Sequence, residues 1–279
     1  MSTDMNTAAT ETPRRAAGAE TTWTTRRGAL AQSATMAARS LASIKHAPAQ
    51  LVEFFMIPLM ILLSVTFFMG GQMMGSWQDF LQYAGPTIIA MGLFFAITST
   101  GLGLFGDIKE GVFDRLTAMP VSRFALLAGR VAADMVKYAW ALLVVGGVAF
   151  AIGYRSGGGV LGTAAAAGVL LLFLFAASWS MVLVGLTAKS EEQIQTWMIS
   201  LLMPLAYTST VFVELDTLPG AVQWWAELNP LTALADSMRV FLDGGDPGGE
   251  VLALLGWCAA LIAVFVPLSL RAYRRKLTD

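Results

Sequence analysis

Gly101, Gly103 and Gly106 stand at G-x-G-x-x-G spacing, a pattern in this chain that fits nucleotide chemistry. In a dinucleotide fold that run follows a strand and opens a helix onto a pyrophosphate. Here it closes a long apolar segment with no strand before it, so close helix packing or a hinge accounts for it better. No Gly-x-x-x-x-Gly-Lys-Ser/Thr phosphate loop occurs, so the chain is not expected to bind and split ATP. The lone His46 cannot build a metal cluster, no Cys/His spacing suits zinc, and no Gly-x-Ser-x-Gly elbow presents a serine. The expectation is therefore no catalytic residue, no metal and no cofactor in this chain. Cys258 is the single cysteine, which excludes an intrachain disulfide.

Ion-coupled transport needs ionisable groups inside the membrane, where each costs about 2.5–3.5 kcal/mol on insertion scales. Glu53, Asp134 and Lys137 are the candidates, and all three fall near one end of an apolar segment. Asp134 and Lys137 are three apart, at a spacing that lets them pair on one helix. An ion-coupled secondary transporter or channel is thus the competing class, weakened by segment centres that carry no charge.

The elements holding these residues are apolar helices. Of 279 residues, 56% are hydrophobic and 13% charged, against about 25% charged in soluble domains. Lipid must be the solvent for much of such a chain. The formal net charge of −1 offers no basic surface to nucleic acid. Six segments approach the ~20 apolar residues needed to cross a bilayer: Leu51–Gly70, Tyr83–Phe105, Val131–Tyr154, Val160–Leu186, Ile194–Val213 and Val251–Leu270. Period-two alternation is absent, so the expected fold is an all-α membrane protein with six transmembrane helices.

Lys and Arg are concentrated before the first segment, between the second and third, at Lys189, and after the last. Six crossings put all of these on one side. Arg155 and Arg239 lie on the other, among Glu214, Asp216, Glu227, Asp236, Asp243, Asp246 and Glu250. Positive loops stay in the cytoplasm, so both termini are expected there, in a multi-pass protein of the cell membrane. Residues 1–26 read as a disordered tail and 271–279 as a basic one. Across 27–47, Leu30, Ala34, Ala37, Leu41 and Ile44 recur at helical spacing, the pattern of an amphipathic helix in the inner interface. Residues 48–270 form the transmembrane domain.

Two stretches that do not read as spans interrupt that domain. Asp107 followed by Glu110 has capping-box spacing, which predicts a short cytoplasmic helix over 107–119, stopped by Pro120. The residues alone leave two readings, a plain connector or a helix that docks another protein. On the opposite side, 214–249 is too apolar for a free loop and too broken by Pro219, Asn229-Pro230 and Gly244-Gly245 for a span. A pair of short helices dipping into the outer leaflet fits, with Trp224 and Trp225 at the interface. They read equally as a gate or as a surface anchor.

The run from Asp107 to Arg123, notably Gly111, Asp114, Arg115, Leu116, Pro120 and Arg123, resembles the cytoplasmic loop of ABC-2 type permeases in the daunorubicin-resistance branch of drug exporters. A second run, Asn229-Pro-Leu-Thr-Ala-Leu-Ala-Asp-Ser-Met-Arg239, is similar to that family's segment before the last span, with Ala233 where a polar or basic residue is usual. The resemblance reaches from about Arg27 to the C-terminus. It implies a type V ABC exporter-like fold whose 107–119 helix, with Asp107 and Glu110, couples to the ATPase. It implies short re-entrant outer helices carrying Trp224, Trp225, Asn229, Pro230 and Arg239. It also implies partners: two ABC ATPase subunits that bind ATP and magnesium, and a second permease copy or a related chain. Membrane lipids and a hydrophobic small-molecule substrate complete the set. Phe54, Phe55, Phe94, Phe95, Met198 and Met203, with Glu53 at the inner vestibule, are candidates for the substrate path, although helix packing or lipid contact is the commoner fate of such residues.

Overall fold

The computed structural model describes residues 48–111, 123–210 and 220–276, and every regular element among them is helical. Helix α1 (Pro48–Ser64) runs through a π-helical turn (Val65–Met69) into α2 (Gly70–Met74). Gly75 at φ 78° ends that run, since a left-handed residue closes a helix most cheaply as glycine. Ser76 then caps α3 (Trp77–Ala96), its Oγ accepting the Asp79 N–H at 3.0 Å. After Ile97 the chain continues as α4 (Thr98–Lys109). Next come α5 (Arg123–Ala151) and α6 (Gly159–Thr187). Ser190 caps α7 (Glu191–Trp197), which passes through a second π-helical turn (Met198–Leu202) into α8 (Met203–Tyr207). A hairpin of α9 (Gly220–Glu227) and α10 (Pro230–Asp243) precedes α11 (Gly249–Lys276).

Five helical runs among the described residues are long and apolar enough to cross a membrane: Phe54–Met74, Trp77–Lys109, Leu126–Ala151, Gly159–Thr187 and Gly249–Lys276. They match five of the six expected segments. The remaining one, Ile194–Val213, overlaps the shorter helical run formed by α7, its π-turn and α8. Helices overrun the apolar segments wherever no breaker intervenes. The second begins at Trp77, not Tyr83, because Ser76 caps it and nothing from Gln78 to Gln82 stops it.

The same reasoning corrects the reading of Asp107. It does not open a new helix; it lies in the last turn of α4, which ends at Glu110 and Gly111 (φ 66°). Gly106 interrupts the helix too weakly to end it, since a single glycine costs only about 1 kcal/mol. Residues 112–119 of the predicted coupling helix lie outside the described residues. So do the tail 1–26, the predicted interfacial helix 27–47 and residues 277–279 of the basic tail.

The core centres on α6, which packs against α4, α5, α10 and α11, while α3 packs against α1 and α5. In the most apolar window of each span, 72% of Trp77–Lys109 and 67% of Gly159–Thr187 is buried, but only 11% of Gly249–Lys276. The first two are therefore interior helices, and α11 gives most of its surface to its surroundings. Where α4 crosses α6, a Cβ on Gly185 would sit 2.6 Å from the Gly101 carbonyl oxygen. The two backbones touch, as small residues allow between membrane helices.

Candidate functional site

Two polar assemblies stand at opposite ends of the run α3–α4, whose 33 residues span about 50 Å at 1.5 Å per residue. At the α4 end, Arg130 of α5 pairs with Asp107 of α4. Arg130 Nε also lies 3.5 Å from Asp134 Oδ2, one helical turn along. Lys137 Nζ donates to Asp134 Oδ1 at 2.8 Å and sits 5.5 Å from the Phe54 ring centroid. Asp134 is only 1% exposed, so its charge is held between two cations of its own helix. The chain Asp107–Arg130–Asp134–Lys137 thus locks α4 to α5 immediately beside residues 112–122, which join them.

Gly103 makes room for this lock. A Cβ there would overlap the Arg130 guanidinium, whereas one on Gly106 would meet nothing within 4 Å. The three glycines of the nucleotide-like pattern therefore have separate surroundings: Gly101 against α6, Gly103 under Arg130, and Gly106 facing open space. Below the lock, Tyr138 Oη and Thr100 Oγ1 form a buried 2.8 Å hydrogen bond between the same two helices.

The expected coupling residues divide. Asp107, Glu110 and Gly111 end α4, and Arg123 opens α5. Asp114, Arg115, Leu116 and Pro120 lie outside the described residues. Pairing of Asp134 with Lys137 was legible from their spacing. Arg130 was not singled out, although it stands four residues before Asp134 and only the fold brings it to Asp107.

At the α3 end, the α9–α10 hairpin is fastened to α8. Asn229 caps α10, its Oδ1 accepting the Leu231 N–H at 2.9 Å, while its Nδ2 donates to the Leu205 carbonyl at 2.7 Å. Pro230 occupies the first helical position, where its missing N–H costs nothing. Trp225 Nε1 donates to Thr208 Oγ1 at 2.9 Å, and Trp224 is exposed. Arg239 pairs with Asp236 at 3.3 Å, donates to the Thr210 carbonyl at 2.8 Å, and stacks 5.0 Å from the Tyr83 ring centroid. A cavity of about 420 Å³ opens here, lined by Tyr83, Thr210, Glu227, Asp236, Arg239 and Glu250 among others. Burial pushes the Asp236 carboxyl above its ordinary value, with Arg239 pulling the other way.

The expected path residues also separate. Phe94 and Phe95 are buried in this chain's own core, Phe94 lying 5.9 Å from the Phe173 centroid, because α3 is an interior helix. Phe54, Phe55, Met198 and Met203 are half-buried at its margin, and Phe54 packs 5.4 Å from Tyr138. Glu53 lies on α1. Among the described residues, no three His, Cys, Asp or Glu side chains come together as a metal site.

Residues 31–242 match the family described as "ABC-2 type transporter". The chain is 34% identical over 238 residues to the daunorubicin resistance ABC transporter permease protein DrrB1 of Streptomyces coeruleorubidus, covering 85% of this chain and 84% of that one. It is 26% identical over 238 residues to the probable doxorubicin resistance ABC transporter permease protein DrrC of Mycobacterium tuberculosis, covering 80% of each. The ion-paired link between α4 and α5 and the α9–α10 hairpin up to Leu242 both fall within the matched residues. The chain belongs to the ABC-2 type transporter family, as a membrane permease and not itself an enzyme.

Proposed function

We propose that this chain is the membrane subunit of an ATP-driven exporter that moves a hydrophobic or amphipathic drug, antibiotic or lipid-like substrate out of the cell. Separate ATPase subunits bind ATP and magnesium; two permease copies, or this chain and a related one, enclose the path. The observation that carries this reading is the lock Asp107–Arg130–Asp134–Lys137 beside residues 112–122. A loop pushed by an ATPase moves α4 and α5 as a unit only if the two are joined where they leave the loop, and ion pairs within a half-dry helix interface make such a joint. Six crossings with both termini in the cytoplasm agree with the distribution of Lys and Arg, taking the run α7–α8 as the fifth. On that orientation the α9–α10 hairpin closes the outer end, and the half-buried Phe54, Phe55, Met198 and Met203 face the path.

An ion-coupled carrier needs a titrating group free to exchange its ion. Asp134 and Lys137 are instead paired with each other, which favours the ATP-driven reading. The deciding experiment is co-purification in detergent of the tagged chain with its candidate ATPase, comparing wild type with Asp114→Ala/Arg115→Ala. The expected result is a stable complex that the double substitution disrupts, or whose ATP hydrolysis it uncouples from added drug. Failure of any ATPase to associate, with substrate moved by the chain alone down an ion gradient, sinks the proposal.

A further inference from the structure

A second cavity, of about 280 Å³, lies between α5 and α6 and is walled almost entirely by apolar atoms. Pro86 and Ile89 of α3 and Met238 of α10 close its back. On α5 its wall includes Gly146 and Gly147, beside Leu142, Leu143, Ala149 and Phe150. Glycine inside a helix is destabilising relative to alanine, and it is usually tolerated where another backbone needs the room. Gly158 and Gly162 are of that kind, since a Cβ on either would overlap the Phe241 carbonyl oxygen. Gly146 and Gly147 are not: a Cβ on either meets nothing within 4 Å. Packing within this chain does not require them, and what they leave is an open crevice in a membrane-spanning layer. An apolar crevice does not hold water, so hydrocarbon is its natural filling.

One end of the crevice carries a fixed cation. Phe150 and Tyr154 line it, and Arg155 Nη1 donates to both of their carbonyls, at 2.8 and 2.7 Å. The loop beneath is fastened by Gln82, which accepts the Arg155 N–H at 3.1 Å and donates to the Gly153 carbonyl at 2.9 Å. Ser156 Oγ adds a bond to the Leu242 carbonyl at 3.1 Å. Arg155 is exposed and makes no ion pair among the described residues, which leaves its Nε and Nη2 hydrogens for a ligand. Arg239, at the same end, is already held by Asp236 and Thr210. Burial and the nearby Asp243 carboxylate together push the Tyr154 hydroxyl up to about 12, so a negative group also stands beside the loop.

We propose that this crevice is a phospholipid site, one acyl chain lying between α5 and α6 with the headgroup phosphate on Arg155. A guanidinium is the side chain suited to a phosphate, and a fixed cation above an apolar slot matches an amphiphile with an anionic joint. The phosphodiester is common to anionic and zwitterionic lipids; Asp243 favours a headgroup that also carries an ammonium. The site rests on the chain being embedded in a membrane and not on the direction or energy source of transport.

The test uses the full chain in phosphatidylcholine nanodiscs doped with either phosphatidylethanolamine or phosphatidylglycerol bearing a diazirine on one acyl chain. Photolabelled peptides are then mapped by mass spectrometry. Labels are expected on 142–150 and 163–170, with lipid-exposed α11 as internal reference. Arg155→Ala should lower labelling of the crevice about tenfold for either phospholipid, the loss of roughly one charge-assisted hydrogen bond, and leave a diazirine fatty alcohol unaffected. Gly147→Leu, which fills open space, should abolish labelling by all three probes. Arg155→Ala changes a surface side chain and gives its answer even if the filled variant fails to fold. Phospholipid labelling that is unchanged in Arg155→Ala overturns the proposal, as does Gly147→Cys forming a disulfide between two copies, which would make the crevice a seat for a second chain. Neither result bears on ATPase association, so failure here is distinct from failure of the export reading.

Discussion

Replacing Gly103 by alanine should weaken the lock between α4 and α5, although alanine is the better helix former. On an unconstrained helix Gly→Ala gains about 1 kcal/mol. At position 103 the new methyl occupies the place of the Arg130 guanidinium, which must swing away from Asp107 and Asp134. A hydrogen bond to a charged group is worth about 1.5–3 kcal/mol, and Asp134, 1% exposed, would keep only Lys137. The lower half of that range applies, because Asp107 is one-third exposed. Set against the propensity gain, the net expectation is a loss of about 0.5–1 kcal/mol for Gly103→Ala. Gly106→Ala, whose methyl meets nothing, should gain up to about 1 kcal/mol on propensity alone. At roughly 2–4 °C per kcal/mol for a chain of this size, the two variants should differ by several degrees in apparent melting temperature. Intrinsic fluorescence of the eight tryptophans in detergent reads this directly. A cycle with Asp107→Asn isolates the mechanism, because part of the Gly103→Ala penalty should vanish once its acidic partner is gone. If Gly103→Ala melts with Gly106→Ala, or its cost survives unchanged in Asp107→Asn, the lock does not hold these helices.

Asn229→Ala should cost about 2–4 kcal/mol, since it removes a helix cap and leaves the Leu205 carbonyl without its donor. Trp225→Phe keeps an aromatic ring, loses one bond to Thr208, and should cost only about 1 kcal/mol; hydrogen exchange at 231–233 should rise in the first variant and barely in the second. Burial raises Asp236 in the folded state, so folding binds its proton more tightly than the unfolded chain does. That contribution is complete below the unfolded value of about 3.9 and is lost as pH rises through the raised folded value. Melting curves across this window should show a fall with rising pH that Asp236→Asn removes, and an identical profile in the variant would contradict the burial of this carboxyl.

Much of the architecture was legible because lipid restricts the choices. Few charges, long apolar segments and no period-two alternation leave little but a helical bundle. Asn229 was read only as a break before Pro230, although its short side chain caps its own turn by accepting from Leu231. The other failures were tertiary. Asp107-x-x-Glu110 satisfies the spacing of a capping box, yet α4 simply continues through Asp107, and no local pattern reveals that a preceding helix has not ended. Phe94 and Phe95 are the aromatic type a substrate path uses, but whether an apolar side chain meets substrate, lipid or its own core depends on which helix is central.

By itself the sequence determined the solvent and the helical class, because those follow from composition and local spacing. Which residues join one helix to another was decided only by the fold. Gly101, Gly103 and Gly106 are indistinguishable in sequence, yet one admits a backbone, one an arginine and one nothing. Arg130 lies 23 residues from its partner Asp107, and an ion pair across that separation exists only once α4 and α5 pack side by side.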